Sequence, residues 1–249
     1  MPRLPRLLLL AAAALLLAAP AVAAAPAAPV VVELFTSQGC DSCPPADALL
    51  GELAARDDVL PLGFHVTYWD RLGWRDTLGA EAHTRRQHAY AAQHGGARVY
   101  TPQMVIGGAV DAVGSDRRRV LAAIELVRER IAPVALDVEG TGDAARLRLP
   151  AAGAGGGEAT VWLVGFDRAR DVAIGRGENA GRTIRYHNVV REFEKLGVWT
   201  GGGPLDLPLP LGRLAAAGRD AAAVLVQRAR DGVIVASSAA LDLTAAATD

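Results

Sequence analysis

The sequence predicts an α/β protein whose first half alternates strands and helices and whose second half is mostly β-structure, most simply a sandwich. Three observations predict this fold class. Continuous apolar runs alternate with helix-type patterns between residues 30 and 131, Gly107-Gly108 separates two short apolar runs, and only short strand patterns follow Pro133. Alternating strands and helices are typical of a sheet covered by helices, and repeated short strands are typical of a β-domain.

The first elements follow from apolar pattern and breaker residues. Val30–Thr36 is a continuous β-branched run, typical of a strand buried on both faces. A helix is predicted over Pro45–Ala55, a second strand over Leu60–Tyr68, and a helix over Ala80–His94 that Gly95-Gly96 ends. The intervening helix lets the two strands pair in parallel.

A hairpin and a third helix complete the first half. Gln103–Ile106 and Ala109–Val113 flank Gly107-Gly108, a hairpin signal that makes these two strands antiparallel. Ser115 or Asp116 can cap a helix that runs to about Ile131.

The second half is predicted as short strands separated by glycine-rich breaks. We predict strands over Val134–Val138, Arg146–Leu149, Thr160–Phe166, Thr183–Val190, Ala222–Gln227 and Val233–Ala236. The predicted domains are therefore residues 28–132 and residues 133–249.

Residues 1–25 have the pattern of a cleavable signal peptide. Arg3 and Arg6 form a positive start, Leu7–Ala19 is apolar, and Ala21-Val22-Ala23 is a cleavage pattern. No later segment is long and apolar enough to span a bilayer. We therefore expect a secreted or periplasmic protein with no membrane span in the mature chain, in a compartment where a cysteine pair can persist as a disulfide.

Charge and motifs exclude several classes of function. The formal charge of −1 becomes about −3 once Arg3 and Arg6 are removed, which excludes a strongly basic nucleic-acid binder. No P-loop or dinucleotide fingerprint occurs, so no cofactor is predicted. Three histidines of one predicted helix lack the spacing of metal ligands, and no metal site is predicted from them: His83, His88 and His94. The pattern does not indicate an oligomeric state.

Both cysteines lie in one short motif, Gly39-Cys40-Asp41-Ser42-Cys43-Pro44-Pro45, between a predicted strand and a predicted helix. Two thiols separated by two residues can close a small disulfide, and this position between strand and helix is typical of a redox-active pair. Thr101-Pro102 stands directly before the third predicted strand.

With these motifs, residues from Val30 to Ile131 resemble the thioredoxin superfamily. The mature chain as a whole is similar to an exported bacterial family of unknown function with a thioredoxin-like core. The segments that carry this similarity are Glu33–Cys40, Ser42–Asp47, Tyr68–Asp70, Leu72–Trp74, Tyr100–Gln103 and His187–Arg191.

The resemblance implies a thioredoxin-like domain over residues 28–132 and assigns roles to four residues. Cys40 would be the exposed nucleophile and Cys43 the buried resolving thiol. Pro102 would be cis and face the pair, and the backbone of Thr101 would pair with a substrate strand. The implied partners are thiols or disulfides of exported proteins.

Two features of the motif weaken activation of Cys40. Pro44 and Pro45 each disfavour helical geometry in the residue before them, so the helix is expected to begin after Cys40. Asp41 places a negative charge beside the pair and disfavours a thiolate. We therefore expect the reduction potential of the Cys40–Cys43 pair to lie toward the reducing end of the range for such pairs.

Alternatives stay open at this stage. The pair can be a static disulfide in a non-catalytic binding module, or Cys40 and Cys43 can bind copper or zinc with a histidine such as His65. We interpret the loop Tyr68–Asp76 as a packed segment whose tryptophans anchor the second domain, the alternative being a surface near the cysteines. For His187 we expect a structural hydrogen bond rather than a contact with the cysteine site.

Overall fold

The computed structural model describes residues 28–96, 98–152 and 157–244. The predicted signal peptide lies outside the described residues, as do residues 153–156 of the glycine-rich loop and the last five residues.

The first half contains the predicted order of strands and helices. Its elements are β1 (Val30–Thr36), α1 (Pro44–Leu53), β2 (Val59–His65), α2 (Glu81–Gln93), β3 (Gln103–Ile106), β4 (Val110–Val113) and α3 (Arg117–Arg130). Asp116 caps α3, because its side chain accepts a hydrogen bond from the backbone N–H of Arg119.

The second half is β-rich with one short helix. Its elements are β5 (Asp137–Glu139), β6 (Arg146–Leu149), β7 (Ala159–Ala173), β8 (Thr183–Trp199), β9 (Leu205–Pro208), α4 (Leu211–Ala216), β10 (Ala221–Arg228), β11 (Ile234–Ser237) and β12 (Leu241–Asp242). The predicted strand Val134–Val138 is displaced, because the N–H of Val134 bonds to the carbonyl of Val235 and β5 begins at Asp137.

A nine-stranded mixed sheet runs through the protein in the order β11-β10-β7-β8-β2-β1-β3-β4, with β12 paired to β10. β1 and β2 are parallel, from Val30 opposite Val59 to Thr36 opposite His65, as predicted. β3 and β4 form the predicted antiparallel hairpin. Gly107 and Gly108 both have positive φ in its turn, a conformation that favours glycine.

The longest strands, β7 and β8, form one antiparallel hairpin of 15 and 17 residues. β8 joins the first half of the sheet through one parallel bridge, between Val189 and Gly63 of β2. A Cβ at Gly63 would lie 3.1 Å from the carbonyl oxygen of His187, so glycine allows this close approach. One sheet thus continues across residue 132, and the division into two domains stays a prediction.

A second sheet, in the order β5-β6-β9, packs on one end of the large sheet. Leu147 and Leu149 of β6 share a core with Val161, Leu163 and Val224 of the large sheet. β9 and α4 were not predicted, since their proline-containing sequence resembles a loop. Pro208 is compatible with β9 because β9 is an edge strand.

Helices cover both faces of the first half of the sheet. α1 and α3 share a core with β1 on one face, and α2 places Tyr90 against Phe35 and Phe64 on the other. The protein is therefore a mixed α/β structure with a large mixed sheet and few helices. Within the described ranges, none of the helices is both long and apolar enough to cross a membrane.

Candidate functional site

The two cysteines lie between the end of β1 and the start of α1. Cys40 and Cys43 form a disulfide with an S–S distance of 2.09 Å and a Cα–Cα distance of 5.4 Å. Both residues are 0% exposed. The expectation of a buried Cys43 is confirmed and that of an exposed Cys40 is wrong. Residues of two distant segments lie over residues 37–43, called the cysteine loop below.

The first of these segments is the tip of the β7–β8 hairpin, residues 174–182, called the hairpin tip below. Asn179 of the tip is 1% exposed. Its side-chain amide donates to the carbonyl oxygens of Gln38 at 3.0 Å and of Cys40 at 2.8 Å. Arg182 donates to the Asn179 side-chain oxygen at 2.8 Å. The NH2 group of Asn179 therefore binds the tip to the cysteine loop, and its side-chain oxygen is bound within the tip.

The second segment is the aromatic loop Tyr68–Asp76. Trp74 donates its indole N–H to the side-chain oxygen of Gln38 at 2.8 Å. A Cβ at Gly175 would lie 3.2 Å from the Trp74 ring, and one at Gly177 would lie 3.3 Å from the Trp74 Cβ. Trp74 therefore packs against the hairpin tip, as the packed-loop interpretation expected, and it lies beside the cysteine loop, as the alternative expected.

Trp69 of the same loop connects the cysteine loop to Thr101. A Cβ at Gly39 would lie 3.2 Å from the Trp69 Cβ, and the Trp69 indole donates to the Thr101 hydroxyl at 2.8 Å. The Thr101–Pro102 peptide bond is cis, as the resemblance implied.

Pro102 lies next to the first turn of α1. The N–H of Gly114 donates to the Pro102 carbonyl at 2.9 Å. A Cβ at Gly114 would lie 3.0 Å from the Ala46 Cβ and 3.3 Å from the Pro102 Cβ. The fold therefore brings all four predicted site residues to one end of β1: Cys40, Cys43, Thr101 and Pro102.

The start of α1 has few free N–H groups. Cys43 is the N-cap and the helix begins at Pro44, so it begins after Cys40 as predicted. Pro44 and Pro45 have no N–H, and the N–H groups of Ala46 and Asp47 both donate to the carbonyl of Cys43, at 2.8 and 3.1 Å. None of the first four helical residues therefore has an N–H free to stabilise a thiolate.

Two carboxylates and one guanidinium lie at the cysteine loop: that of Asp41 in the loop itself, and those of Glu178 and Arg182 in the hairpin tip. Asp41 is exposed, and its backbone N–H lies 3.4 Å from the carboxylate of Glu178 in the hairpin tip. The polar side chain at the Cys40 sulfur is the hydroxyl of Ser42, at 3.4 Å. The two carboxylates disfavour an additional negative charge on Cys40.

A buried polar cluster of Asp47, His65, Asp76 and Tyr186 joins α1, β2, the aromatic loop and β8. Burial raises the pKa of Asp47 to about 7, although His65 and a 2.8 Å hydrogen bond from the Thr36 hydroxyl oppose the shift. Burial also acts to raise the pKa of Asp76. That effect is outweighed by His65, at 2.9 Å, and by backbone N–H donors, so the pKa of Asp76 is lowered.

Three polar atoms of this cluster have no hydrogen-bond partner among the described residues: Asp47 Oδ2, His65 Nε2 and the Tyr186 hydroxyl. The His65 and Tyr186 rings lie edge to face with centroids 4.6 Å apart. Asp47 is one helical turn after Cys43, so a carboxyl group that gains or loses a proton near neutral pH lies close to the pair along α1. The sequence pattern indicated only an acidic residue in the first turn of a helix.

The copper or zinc alternative finds no support in the geometry. His65 Nδ1 bonds to Asp76, and both cysteine sulfurs are in the disulfide. In the part of the chain that the structure describes, no three His, Cys, Asp or Glu side chains are arranged to hold a metal ion. The second histidine considered from the sequence, His187, packs on α1, since a Cβ at Gly51 would lie 2.7 Å from its ring.

Comparison with known proteins assigns the chain to a family. Residues 31–227 match the family described as "Protein of unknown function (DUF1223)". The chain belongs to the DUF1223 family. Among curated proteins, none matches this DUF1223 chain.

Two solved structures are similar to this DUF1223 protein. Protein AGR_C_4864 from Agrobacterium tumefaciens is 33% identical with a TM-score of 0.73, and the match covers 85% of this chain and 93% of that chain. HBP35 of Porphyromonas gingivalis is 13% identical with a TM-score of 0.54, over 85% of this chain and 74% of that chain. The second likeness concerns the fold alone.

Proposed function

We propose that this DUF1223 protein is an exported thioredoxin-like protein that exchanges its Cys40–Cys43 disulfide with thiols or disulfides of other exported proteins. The observation that carries the proposal is the meeting of three features at the end of β1. These are the disulfide, the first turn of α1 and the cis peptide bond at Pro102.

The exchange proceeds in two steps. In the reduced protein, the Cys40 thiolate attacks a partner disulfide, a Cys40–partner disulfide forms, and the first partner sulfur leaves as a thiolate. The Cys43 thiolate then attacks the Cys40 sulfur, which re-forms the Cys40–Cys43 bond and releases the second partner sulfur. Two electrons pass to the partner, and the protons of both cysteine thiols end on the two released thiols. A dithiol reductant in the same compartment returns the pair to the reduced state.

The direction of electron flow toward the partner is supported by the start of α1. A thiolate at Cys40 would find no free helical N–H, and the negatively charged Asp41 follows Cys40 directly in the chain. Strongly oxidising pairs owe their high potential to a stabilised reduced form. We therefore place this couple nearer to thioredoxin, at about −270 mV, than to the strongest periplasmic oxidant, at about −120 mV.

Access to Cys40 requires movement of the hairpin tip. Cys40 is 0% exposed, and the tip is bound to its carbonyl through Asn179. A partner can reach the sulfur only when these hydrogen bonds break. The tip thereby limits the exchange to partners that displace it or to moments when it opens.

Asp47 is suited to accept the proton of Cys43. It follows Cys43 by one turn on the buried face of α1, and its pKa of about 7 lies near the pH at which the exchange would work. In this proposal, transfer of a proton to Asp47 produces the Cys43 thiolate that resolves the mixed disulfide.

A second candidate function is a binding module with a static disulfide. The observation that favours it is the complete burial of both cysteines. The two candidates differ in potential, since structural disulfides have potentials below about −300 mV and resist the glutathione pool.

Thiol trapping tests the proposal. The full mature chain is equilibrated with glutathione and then with dithiothreitol buffers, and free thiols are alkylated and counted by mass spectrometry. A reversible transition between about −300 and −200 mV supports exchange, and a more negative potential identifies a static bridge. Cys43→Ala should trap a mixed disulfide with an exported protein, whereas the matched control Cys40→Ala should trap far less. Failure of Cys43→Ala to trap any partner would contradict the exchange.

A further inference from the structure

A pocket of about 480 Å³ lies between α2 and the β7, β8 and β10 part of the large sheet. It is separate from the cysteine site, because no residue of the cysteine loop, the hairpin tip or the Thr101–Pro102 segment lines it. Its α2 wall uses one helical face. Ala82 and Ala89 are seven residues apart on that face, and their small side chains contribute to its volume.

Two aromatic rings line the opposite wall. Trp162 of β7 and Phe193 of β8 are stacked, with centroids 4.5 Å apart and an interplanar angle of 25°. Both side chains are only partly buried. The Trp162 orientation is held by a 3.1 Å hydrogen bond from its indole N–H to Gln227. Each ring covers one face of the other, and the Arg86 guanidinium lies against Phe193. The aromatic face that this wall can offer a ligand is therefore the face of Trp162 turned away from Phe193.

The inner end of the pocket contains a cation that is already neutralised. Arg86 donates two hydrogen bonds to Glu33, at 2.7 and 2.5 Å, and its guanidinium lies 4.1 Å from the Phe193 ring centroid. Burial opposes the charge of Arg86, but attraction to Glu33 outweighs it and the pKa of Arg86 is raised. The Arg86 guanidinium therefore packs against the Phe193 ring, and because Glu33 neutralises its charge it does not attract an anionic ligand.

The rim carries a cation of a different kind. Arg85 is exposed, and among the described residues no acidic side chain lies within 4.0 Å of its guanidinium. By contrast, Arg228 on the same rim is paired with Asp231 at 2.8 Å. The pocket therefore combines an aromatic wall with one uncompensated positive charge at its mouth.

We propose that this pocket binds a small planar aromatic molecule with one carboxylate group. The ring stacks on the face of Trp162 that is turned away from Phe193, where offset stacking adds to the burial of apolar area. The carboxylate pairs with Arg85, whose planar guanidinium suits bidentate recognition. The proposal does not depend on the cysteine chemistry.

The test uses 2-naphthoate as the probe and 2-naphthamide as its uncharged counterpart. Binding to the full mature chain is measured by isothermal titration calorimetry and by ligand-observed NMR. We expect 2-naphthoate to bind about three- to tenfold more tightly than 2-naphthamide, the range of a charge-assisted contact at a partly exposed site. Arg85→Gln should lower the affinity for 2-naphthoate to that for the amide and leave the amide unchanged.

Two further variants control the interpretation. Arg118→Gln alters another exposed arginine, on α3, which also has no acidic partner within 4.0 Å among the described residues, and it should change neither affinity. Ala89→Leu narrows the pocket and should weaken the binding of both probes. An unchanged melting temperature shows that this variant folds.

Three results would overturn the proposal. The first is no binding of 2-naphthoate up to about 5 mM, and the second is equal affinity of the wild-type protein for 2-naphthoate and 2-naphthamide. The third is an affinity of the Arg85→Gln variant for 2-naphthoate that equals the affinity of the Arg118→Gln variant.

Discussion

Asn179 donates its side-chain amide to the carbonyl oxygen of Cys40 at 2.8 Å, across 139 positions of sequence. This hydrogen bond joins the far hairpin of the β-rich half to the cysteine loop of the first half. It makes the second half a part of the candidate site, since one of the two segments that cover the cysteine loop comes from there.

Removal of the Asn179 amide should open the site. Asn179→Ala removes the side-chain donor from the carbonyls of Gln38 and Cys40, at a cost of about 1–3 kcal/mol to the closed tip, and the Cys40 carbonyl keeps only the Cys43 N–H at 3.3 Å. We expect the disulfide to be reduced by dithiothreitol about tenfold faster, as followed by timed alkylation and mass spectrometry. Arg176→Ala, an exposed change in the same tip, is the control and should leave the rate unaltered. Equal rates for wild type and Asn179→Ala would show that the tip does not control access.

The two prolines after Cys43 should set the redox potential. Pro44→Ala with Pro45→Ala restores two N–H groups at the start of α1, which favours the reduced, thiolate form. We expect the potential to become less negative by about 10–40 mV, the equivalent of roughly 0.5–2 kcal/mol for a two-electron couple. The potential is read from equilibrium with glutathione, and Pro150→Ala, at an exposed site, is the matched control. A shift in the opposite direction would contradict this account.

Asp47 should make the protein less stable as the pH rises. Its pKa is about 7 in the fold against an ordinary value of 3.8, so between these values the folded state holds a proton that the unfolded state has lost. The free energy of unfolding therefore falls from about pH 4 to about pH 7, by an amount on the order of 4 kcal/mol at most for this one group.

Asp47→Asn removes that ionisation and keeps an acceptor for the Thr36 hydroxyl. Urea unfolding of both proteins at several pH values should show that the variant gains stability relative to wild type as the pH rises. The comparison of variant with wild type is needed because other titrating groups make the free energy of unfolding rise with pH. The pKa of His83 is lowered to about 4 by burial, so its contribution to the free energy of unfolding increases with pH up to about 6.5. A difference between variant and wild type that does not change with pH would refute the assignment.

Removal of the charge of Glu33 alone from the buried Glu33–Arg86 pair should lower the free energy of unfolding. Glu33→Gln leaves the Arg86 guanidinium buried without a countercharge and should destabilise the fold by about 3–5 kcal/mol. Replacement of both residues, as Glu33→Gln with Arg86→Met, should recover part of that loss because no unpaired charge remains. The urea midpoint at constant slope measures both effects. A double variant less stable than Glu33→Gln would contradict this explanation.

Local patterns in the sequence were sufficient for the first half of the fold. The apolar run Val30–Thr36, the helix after Cys43 and the Gly107-Gly108 turn each depend on residues close in sequence. Local patterns were not sufficient for the outer ends of β7 and β8. Residues 167–173 of β7 and 191–199 of β8 are rich in charged residues. They form strands because each pairs with the predicted part of the other strand.

The sequence by itself determined that the two cysteines stand between a strand and a helix, that a threonine–proline pair precedes the third strand, and that two prolines limit the N–H groups at the helix start. These are properties of short segments, in which backbone preference and steric restriction act over a few residues. Only the tertiary structure decided that Cys40 is buried beneath Asn179, that Trp74 packs under the hairpin tip and that Asp47 joins His65 and Tyr186. Those contacts join residues far apart in the sequence, and their free energy comes from burial and hydrogen bonds that exist only once the sheet has assembled.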